Sequence, residues 1–201
     1  VDDQGVATGA GTFSLTGYHA WERLRWKDTK DNTDHAWAAW IEARYPGYDV
    51  SGVEVEEDVE ASRIDVRWVM AQREDEALGD ETSISVAAPL AVATNPFTLA
   101  PNQRLTPVQF DYCDVDRLRL TVSWPEGWIV DGAPRLANLT NSAGSLVTSF
   151  SEDPEERRLT IERTLTISQN EFIGRGPYAE LRNLFAATVA NDGEQVLLVA
   201  E

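Results

Sequence analysis

The most informative pattern of apolar and polar positions lies towards the end of the chain. Residues 157–167 alternate at every second position, a period typical of a β-strand with one buried face. The amphipathic stretch Pro177–Ala190 predicts one helix, and Asn191–Gly193 provides a turn before the apolar run Val196–Val199. A long strand, a single helix and a closing strand predict a β-rich module whose helix lies across a sheet.

The first part of the chain predicts a second set of strands and helices. Val6–Leu15 is rich in Thr, Gly and Ser with apolar residues between them, which suits an opening strand. Gly17–Trp26 carries apolar residues at helical spacing, and Asp31–Asp34 offers N-caps for another helix, which Pro46-Gly47 ends. Three predicted strands follow: Tyr48–Val55, Arg63–Met70 and Ser83–Val86. We therefore expect a sheet packed under two short helices.

A proline-rich segment separates the two modules. Pro89–Pro107 holds four prolines and no sustained period, so we predict domains at 1–95 and 96–201. Further strands are predicted at Val108–Tyr112, Arg117–Trp124, Trp128–Val130 and Ser145–Phe150. The strict period-2 row of Leu118, Leu120, Val122 and Trp124 is the face we expect to be buried. The predicted fold class is mainly β (α+β): two β-sheet, sandwich-like modules, the first with two short helices and the second with one C-terminal helix.

The composition indicates an acidic globular chain. Its 201 residues are 42% hydrophobic and include seven Trp, enough for packed cores in one large domain or two smaller ones. The formal net charge is −17, and such a chain repels nucleic-acid phosphates and anionic lipid headgroups. We interpret the acidity as a solubilising surface and expect no nucleic-acid partner.

No segment of the sequence predicts membrane insertion or targeting. The apolar runs are shorter than the roughly 18 to 20 residues that cross a bilayer, and a leader pattern is missing. Because Val1 opens the chain in place of Met, we expect a piece excised or processed from a longer protein. The single Cys rules out an intrachain disulfide and does not decide the redox compartment.

Cys113 is the candidate nucleophile, and its surroundings argue against that role. Three acids flank it within Asp111–Asp116, and negative charge disfavours the reactive thiolate. The two histidines, His19 and His35, fall in the other predicted module and lack the Cys or His partners of a zinc site. We therefore assign no catalytic residue and no zinc ligand.

Two acidic clusters offer oxygen ligands without the pattern of a calcium loop. Asp111, Asp114 and Asp116 have no Gly at the sharp turn and no closing Glu, and the run Glu54–Asp58 has the same shortage. Among 34 acidic residues, no carboxylate pair stands out for glycoside hydrolysis. We expect no metal and no cofactor.

Tryptophans are dense near the N-terminus. Trp21, Trp26, Trp37 and Trp40 lie within 20 residues, and they serve either to pin two helices onto a sheet or to form a sugar-binding platform. We favour the packing role. Asn138-Leu139-Thr140 fits the glycosylation sequon, a pattern that chance readily produces in a chain of this size.

Four short motifs spread over most of the chain share a family pattern. They are Asp3-Gln4-Gly5 with the Thr/Gly strand and Gly17-Tyr18-His19-Ala20, the junction of Asn95-Pro96-Phe97 with Arg104–Phe110, the turn Trp124–Trp128, and the helix Tyr178–Phe185. Together they resemble the β-rich region, a domain of unknown function, that follows the core of bacterial transglutaminase-like proteins.

The resemblance implies a longer polypeptide with a papain-like Cys-His-Asp core upstream. This fragment lacks that core, and Cys113 matches no family nucleophile, so no catalytic residue carries over. The resemblance also implies a bacterial parent, often exported, which favours the periplasm or the cell surface.

From these observations we expect a non-catalytic accessory region of a larger transglutaminase- or protease-like bacterial protein. It would scaffold the upstream core or present a peptide or protein substrate, through a groove wall or by strand addition to a sheet edge. The alternative is a stand-alone cell-surface module that binds carbohydrate through Trp or ligates Ca²⁺. An independent enzyme is a third interpretation.

Overall fold

The computed structural model describes residues 6, 8–27, 34–43, 45, 47–73, 78–79, 83–87, 95–104 and 106–200. Of the described residues, 50% lie in strands and 20% in helices, which confirms the predicted mainly β class with antiparallel sheets. The chain divides into two compact units, unit 1 (Val1–Leu78) and unit 2 (Gly79–Glu201).

Unit 1 is an antiparallel sheet with two helices. Its elements are β1 (Thr8–Thr16), α1 (Tyr18–Lys27), α2 (Asp34–Glu42), β2 (Tyr48–Asp58) and β3 (Arg63–Gln72). The strand order is β1-β3-β2, with β3 in the centre. Gly17 adopts φ +59° and turns the chain from β1 into α1. The predicted N-cap residues 31–33 lie outside the described residues.

The core of unit 1 lies between the helices and one face of the sheet. The buried row of β3 consists of Ile64, Val66, Trp68 and Met70, as the alternation predicts. Ala20 from α1 and Trp37 and Ile41 from α2 belong to the same cluster. Opposite Trp68, β1 carries Gly11, where a Cβ atom would overlap the indole ring. The predicted packing of a sheet under two short helices is confirmed for β1, β2 and β3, whereas the predicted strand Ser83–Val86 does not join this sheet.

The described residues of unit 2 form the remaining strands and one helix. The elements are β5 (Ser83–Ala87), β6 (Val108–Gln109), β7 (Asp114–Ser123), β8 (Trp128–Gly132), β9 (Asn138–Asn141), β10 (Gly144–Asp153), β11 (Arg158–Ile167), β12 (Glu171–Phe172), α3 (Arg175–Asp192) and β13 (Gln195–Ala200); β4 (Leu78–Gly79) lies at the division between the units. They form sheets of order β7-β11-β10-β9, β12-β6 and β4-β5-β13-β8.

The C-terminal helix packs on β9, β10 and β12, which confirms a helix laid across a sheet. Tyr178, Leu181 and Leu184 of α3 share one core with Leu146, Leu165 and Phe172. On β7, Leu118 and Leu120 are half-buried and Val122 is buried, so the predicted inner face is correct. Gly144 lets β10 begin close to β11, since a Cβ there would overlap the Thr166 carbonyl.

Three short strands, β4, β9 and β12, are absent from the sequence-based expectation, because Asn-rich and two-residue segments carry no period. The predicted strand Val108–Tyr112 is shorter than expected. It ends at Gln109, and the next residue, Phe110, still donates a 2.7 Å hydrogen bond from its amide to the Asn170 carbonyl.

The compact units divide at residue 78, whereas the sequence places a domain boundary in the proline-rich segment. β5 precedes that segment but pairs with the terminal strand β13, from Gln195↔Ala87 to Val199↔Ser83, so it belongs to unit 2. Residues 89–94 and 105 of the segment lie outside the described residues. The domain limits 1–95 and 96–201 stay a prediction.

Candidate functional site

The candidate site is an open cleft of about 400 Å³ in unit 2. Its lining residues are Gln109, Phe110, Asp111, Tyr112, Asp114, Asp116, Leu165, Ile167 and Phe185. A wider depression of about 590 Å³ lies on the outer face of the same sheet, around Arg119, Thr160 and Asp153, and most of its lining residues are polar and exposed. We take the first cleft as the candidate because it combines an apolar floor with charged rim residues.

Strand register brings the floor and the rim of the cleft together. Asp116 pairs with Leu165 and Asp114 with Ile167 across the β7–β11 ladder. Since residues at even spacing share a face, all four side chains lie on the inner side of the sheet. The cleft therefore lies at the end of the inner face where β7 begins.

Aromatic rings form the wall of the cleft. Phe110 stands edge-on to Phe97 and Phe172, with ring centroids 6.2 Å and 5.9 Å apart. Phe185 of α3 stands edge-on to Phe97 at 4.9 Å. Such perpendicular pairs are favourable for aromatic quadrupoles and fix the ring orientations. The wall is thus part of the packed core of unit 2.

Helix α3, which carries Phe185, is fixed to the sheet near its start. The Glu180 carboxylate accepts hydrogen bonds from the Ser142 hydroxyl and from the Ser142 amide, the latter at 2.9 Å. These hydrogen bonds, the hydroxyl first, lower the pKa of Glu180 below its ordinary value. Asn141 Nδ2 also donates to the Glu180 carbonyl at 3.0 Å. The β9–β10 turn therefore holds the first half of the helix.

A buried arginine lies behind the rim. Arg163 of β11 has a fully buried side chain, and its Nη2 donates a 3.0 Å hydrogen bond to Asp116 Oδ2. Its Nε lies 3.2 Å from Oδ1 of Asp192, which is 1% exposed, in a close charge contact that lacks hydrogen-bond alignment. Because an unpaired buried charge is costly, Arg163 and Asp192 depend on each other.

The last turn of α3, which carries Asp192, is also tied down by hydrogen bonds. The Thr148 hydroxyl donates to Asn191 Oδ1 at 2.6 Å, and Asn191 Nδ2 donates to the Arg135 carbonyl at 2.8 Å. These bonds fix the position of Asp192 beneath the sheet. The charge of Arg163 is therefore held between one buried and one half-exposed carboxylate.

The three aspartates predicted as oxygen ligands line this cleft, and Cys113 lies among them as an exposed residue. Within the described ranges, no group of three or more metal-ligating side chains comes together. Unit 2 contains no histidine, so a Cys–His pair cannot form within it. His19 is half-buried on α1, and the side chain of His35 lies outside the described residues.

The tryptophans of unit 1 are divided between core and surface. Trp37 is buried and Trp40 half-buried, in accord with a packing role, whereas Trp21 is 44% exposed beside Tyr18. The side chain of Trp26 lies outside the described residues. In the acidic run Glu54–Asp58 of β2, Glu54, Glu56 and Asp58 are exposed and Glu57 is half-buried.

The sequon Asn138-Leu139-Thr140, a pattern that chance readily produces, lies in unit 2. Asn138 and Thr140 of the sequon are exposed on β9.

Sequence reasoning missed Arg163 and Phe185. Arg163 sits at the same parity as Ile161 and Leu165 in an alternating strand, and a charge on the buried parity signals an internal ion pair. Phe185 carries no comparable signal, because helical spacing alone does not show which aromatic faces a cleft.

Unit 2 is thus a β-rich domain with a helix across its sheet and an open, acid-rimmed apolar cleft beside an edge strand. A family model described as a domain of unknown function with a solved structure, DUF3858, matches residues 82–198, more than half of the chain. The chain belongs to this family. The matched residues lie within unit 2.

A solved structure from Parabacteroides distasonis, described as a "putative protease", is similar to this chain. The sequence identity is 12% and the TM-score 0.49, over 62% of this chain and 25% of that one. The similarity thus spans about a quarter of the length of that protein. The comparison with curated proteins found no match.

Within the described ranges, none of the helices combines the length and the apolar content that crossing a bilayer requires.

Proposed function

We propose that this chain is a non-catalytic accessory region of a larger transglutaminase- or protease-like bacterial protein, and that it holds a substrate polypeptide in extended conformation along β7. The observation that carries the proposal is the cleft that opens beside this edge strand. The bacterial parent and its catalytic core come from the motif resemblance.

Strand β7 has the properties that strand addition requires. It is ten residues long and pairs with β11 without interruption, from Asp114↔Ile167 to Ser123↔Arg158. In the described part of the chain it has a neighbour on one side, since the sheet order begins with β7. Backbone groups on the other side can bond an added strand, which supplies affinity without sequence selection.

The cleft would make the binding selective for the sequence of the added strand. An added strand points alternate side chains to the same face as Asp114 and Asp116, so one of its side chains would enter the cleft. Leu165, Ile167 and Phe185 would cover the apolar part of that side chain. Binding would therefore combine main-chain hydrogen bonds with one recognised side chain.

The proposal is tested with random peptides displayed on phage and with a matched pair of variants. Val115 is 48% exposed on β7, and Val147 is 45% exposed on the same outer face of β10, an interior strand. A lysine on an edge strand opposes pairing. We expect Val115→Lys to weaken the binding of selected peptides and Val147→Lys to leave it unchanged.

Two results would contradict the proposal. One is equal binding by both variants and the wild-type chain, which would place the peptide elsewhere. The other is robust hydrolase or acyl-transfer activity of this chain by itself, which would make it an enzyme.

A second candidate, a carbohydrate-binding module, is favoured by one observation in unit 1. Tyr18 and Trp21 are 42% and 44% exposed on α1, with ring centroids 5.5 Å apart and planes inclined by 36°. Two exposed rings at this spacing could stack on a sugar. A fluorescence change with oligosaccharides that Trp21→Ala abolishes would support this candidate, and an unchanged spectrum would remove it.

A further inference from the structure

The charges that line the cleft have one sign. Asp111, Asp114 and Asp116 are its charged residues, and the other lining residues are aromatic, aliphatic or Gln. The whole chain carries a formal net charge of −17, so the surrounding field is negative as well. A ligand group of positive charge is complementary to this lining.

The buried arginine does not neutralise the rim. Arg163 contacts two carboxylates, and Asp192, which is 1% exposed, offsets its charge in the interior. The other carboxylate, Asp116, is 43% exposed and lines the cleft. The three groups together keep a net negative charge, and the group among them that faces solvent is Asp116. Arg163 thus orients a carboxylate whose charge is still available to a ligand.

The shape and the aromatic wall favour one kind of cation. Phe110, Tyr112 and Phe185 are half-buried around the cleft, and the faces of aromatic rings attract cations. A guanidinium group is planar, stacks on rings and bonds a carboxylate through two parallel N–H groups. An ammonium group forms point contacts and is more strongly hydrated, so it gains less from such a cleft.

We propose that the cleft binds a guanidinium side chain, so that the polypeptide held along β7 carries an arginine at the position that faces it. The proposal rests on the proposed function for its carrier, the extended segment. The methylene stem of the arginine would lie on Leu165 and Ile167, while its head meets Asp114 and Asp116.

The first test uses a probe that cannot form a strand. N-acetyl-arginine amide is titrated into the isotopically labelled chain, with N-acetyl-citrulline amide as its neutral counterpart of the same shape. We expect the arginine probe to shift the resonances of Phe110, Asp116 and Leu165 saturably, and the citrulline probe to shift them little. Equal shifts from both probes, or none from either, would overturn the proposal.

The second test uses heptapeptides of alternating Thr and Val with Arg, Lys or citrulline in the centre. We expect the Arg peptide to bind about tenfold more tightly than the citrulline peptide, since it adds a charge-assisted pair, and the Lys peptide to fall between them. Equal affinities of the Arg and citrulline peptides would overturn the arginine assignment. If both peptides still slowed the amide hydrogen exchange of β7, strand addition would be supported. Probe shifts in the cleft without any peptide binding would overturn strand addition and support the cation site.

A matched pair of double variants controls for net charge. Asp111→Asn with Asp114→Asn removes two negative charges from the rim, whereas Asp131→Asn with Glu156→Gln removes two from exposed positions outside the cleft lining. The rim variant is expected to lose the preference for Arg over citrulline, and the control variant to keep it. Equal losses in both would show that the preference reflects the overall charge of the chain, which overturns the proposal.

Discussion

Two paired arginines, one in each unit, lie on opposite faces of similar antiparallel ladders. In unit 1, Arg67 of the central strand β3 pairs with Glu56 at 3.1 Å, and both side chains are at least half exposed. In unit 2, Arg163 of the interior strand β11 points inward and is fully buried against Asp192. The two arginines differ in the face of the sheet to which their strand position directs them. One therefore forms an exposed ion pair and the other a buried one.

The comparison shows that burial decides the role of an ion pair. Exposed pairs gain little, because water and salt screen them and long side chains lose freedom. A buried pair rarely adds net stability either, but each charge requires its partner. We infer that the stability of unit 1 depends on its aromatic core and little on its exposed ion pair. In unit 2, the interior pair positions Asp116 at the cleft.

The largest loss of stability is expected from a substitution of Arg163. Arg163→Met leaves Asp192 buried without its counter-charge and should cost about 3 to 5 kcal/mol of unfolding free energy. Arg67→Met, the matched change on the outer face, should leave the denaturant midpoint unchanged. Denaturant titration of the two variants, with amide exchange reporting each unit, measures the difference.

A double variant separates charge from packing at the same site. Arg163→Met with Asp192→Leu removes both buried charges and should recover most of the lost stability. If the double variant were as unstable as Arg163→Met, the loss would come from packing and the account of the pair would be wrong.

The next prediction compares the stability lost on substitution of two leucines on neighbouring strands of unit 2. Leu159 is completely buried on β11, and Leu159→Ala should cost about 2 to 5 kcal/mol. Leu120 of β7 is half-buried, so Leu120→Ala should cost about half as much or less. A larger loss at Leu120 in denaturant titration would show that the inner face of β7 is covered.

A smaller loss of stability is expected from a change in the aromatic core of unit 1. At Gly11 a Cβ atom would overlap the Trp68 indole, so Gly11→Ala should cost about 1 to 3 kcal/mol. At Gly9 the nearest atom to an added Cβ is Met70 Cε at 3.9 Å, an ordinary contact. Gly9→Ala is therefore the control, and equal melting temperatures for the two variants would contradict this packing.

The smallest effect concerns Glu180, whose folded pKa lies below its ordinary value because Ser142 donates hydrogen bonds to the carboxylate. A lowered pKa contributes stability that is present above the unfolded pKa and lost as pH falls through the folded pKa. Glu180→Gln should therefore lower the melting temperature at neutral pH and make no difference in acid. A difference that grows as pH falls would contradict this sign, and Glu155→Gln provides a control away from the turn.

Much of the fold could be predicted from the sequence, because period-2 and helical patterns are local. The alternation in β3 and β11, the two short helices of unit 1 and the helix across the sheet of unit 2 all follow from it. The same parity that buries Ile161 also buries Arg163, so the ion pair was accessible to sequence reasoning in principle.

The cleft could not be predicted in this way. It brings together Phe110 from a turn, Leu165 from a strand and Phe185 from a helix, and their meeting depends on strand register and helix packing. Neither is encoded in a local period. The aspartates of the rim were identified as a cluster, but without the floor they indicated only a weak cation site.

Strand addition at β7 can be observed by amide hydrogen exchange of the intact chain with and without the Arg heptapeptide. We expect slower exchange within Asp114–Ser123 on peptide addition, with no change in β9 at the opposite edge of the same sheet. Bound peptide with unchanged exchange in β7, or with protection confined to β9 or β1, would contradict it.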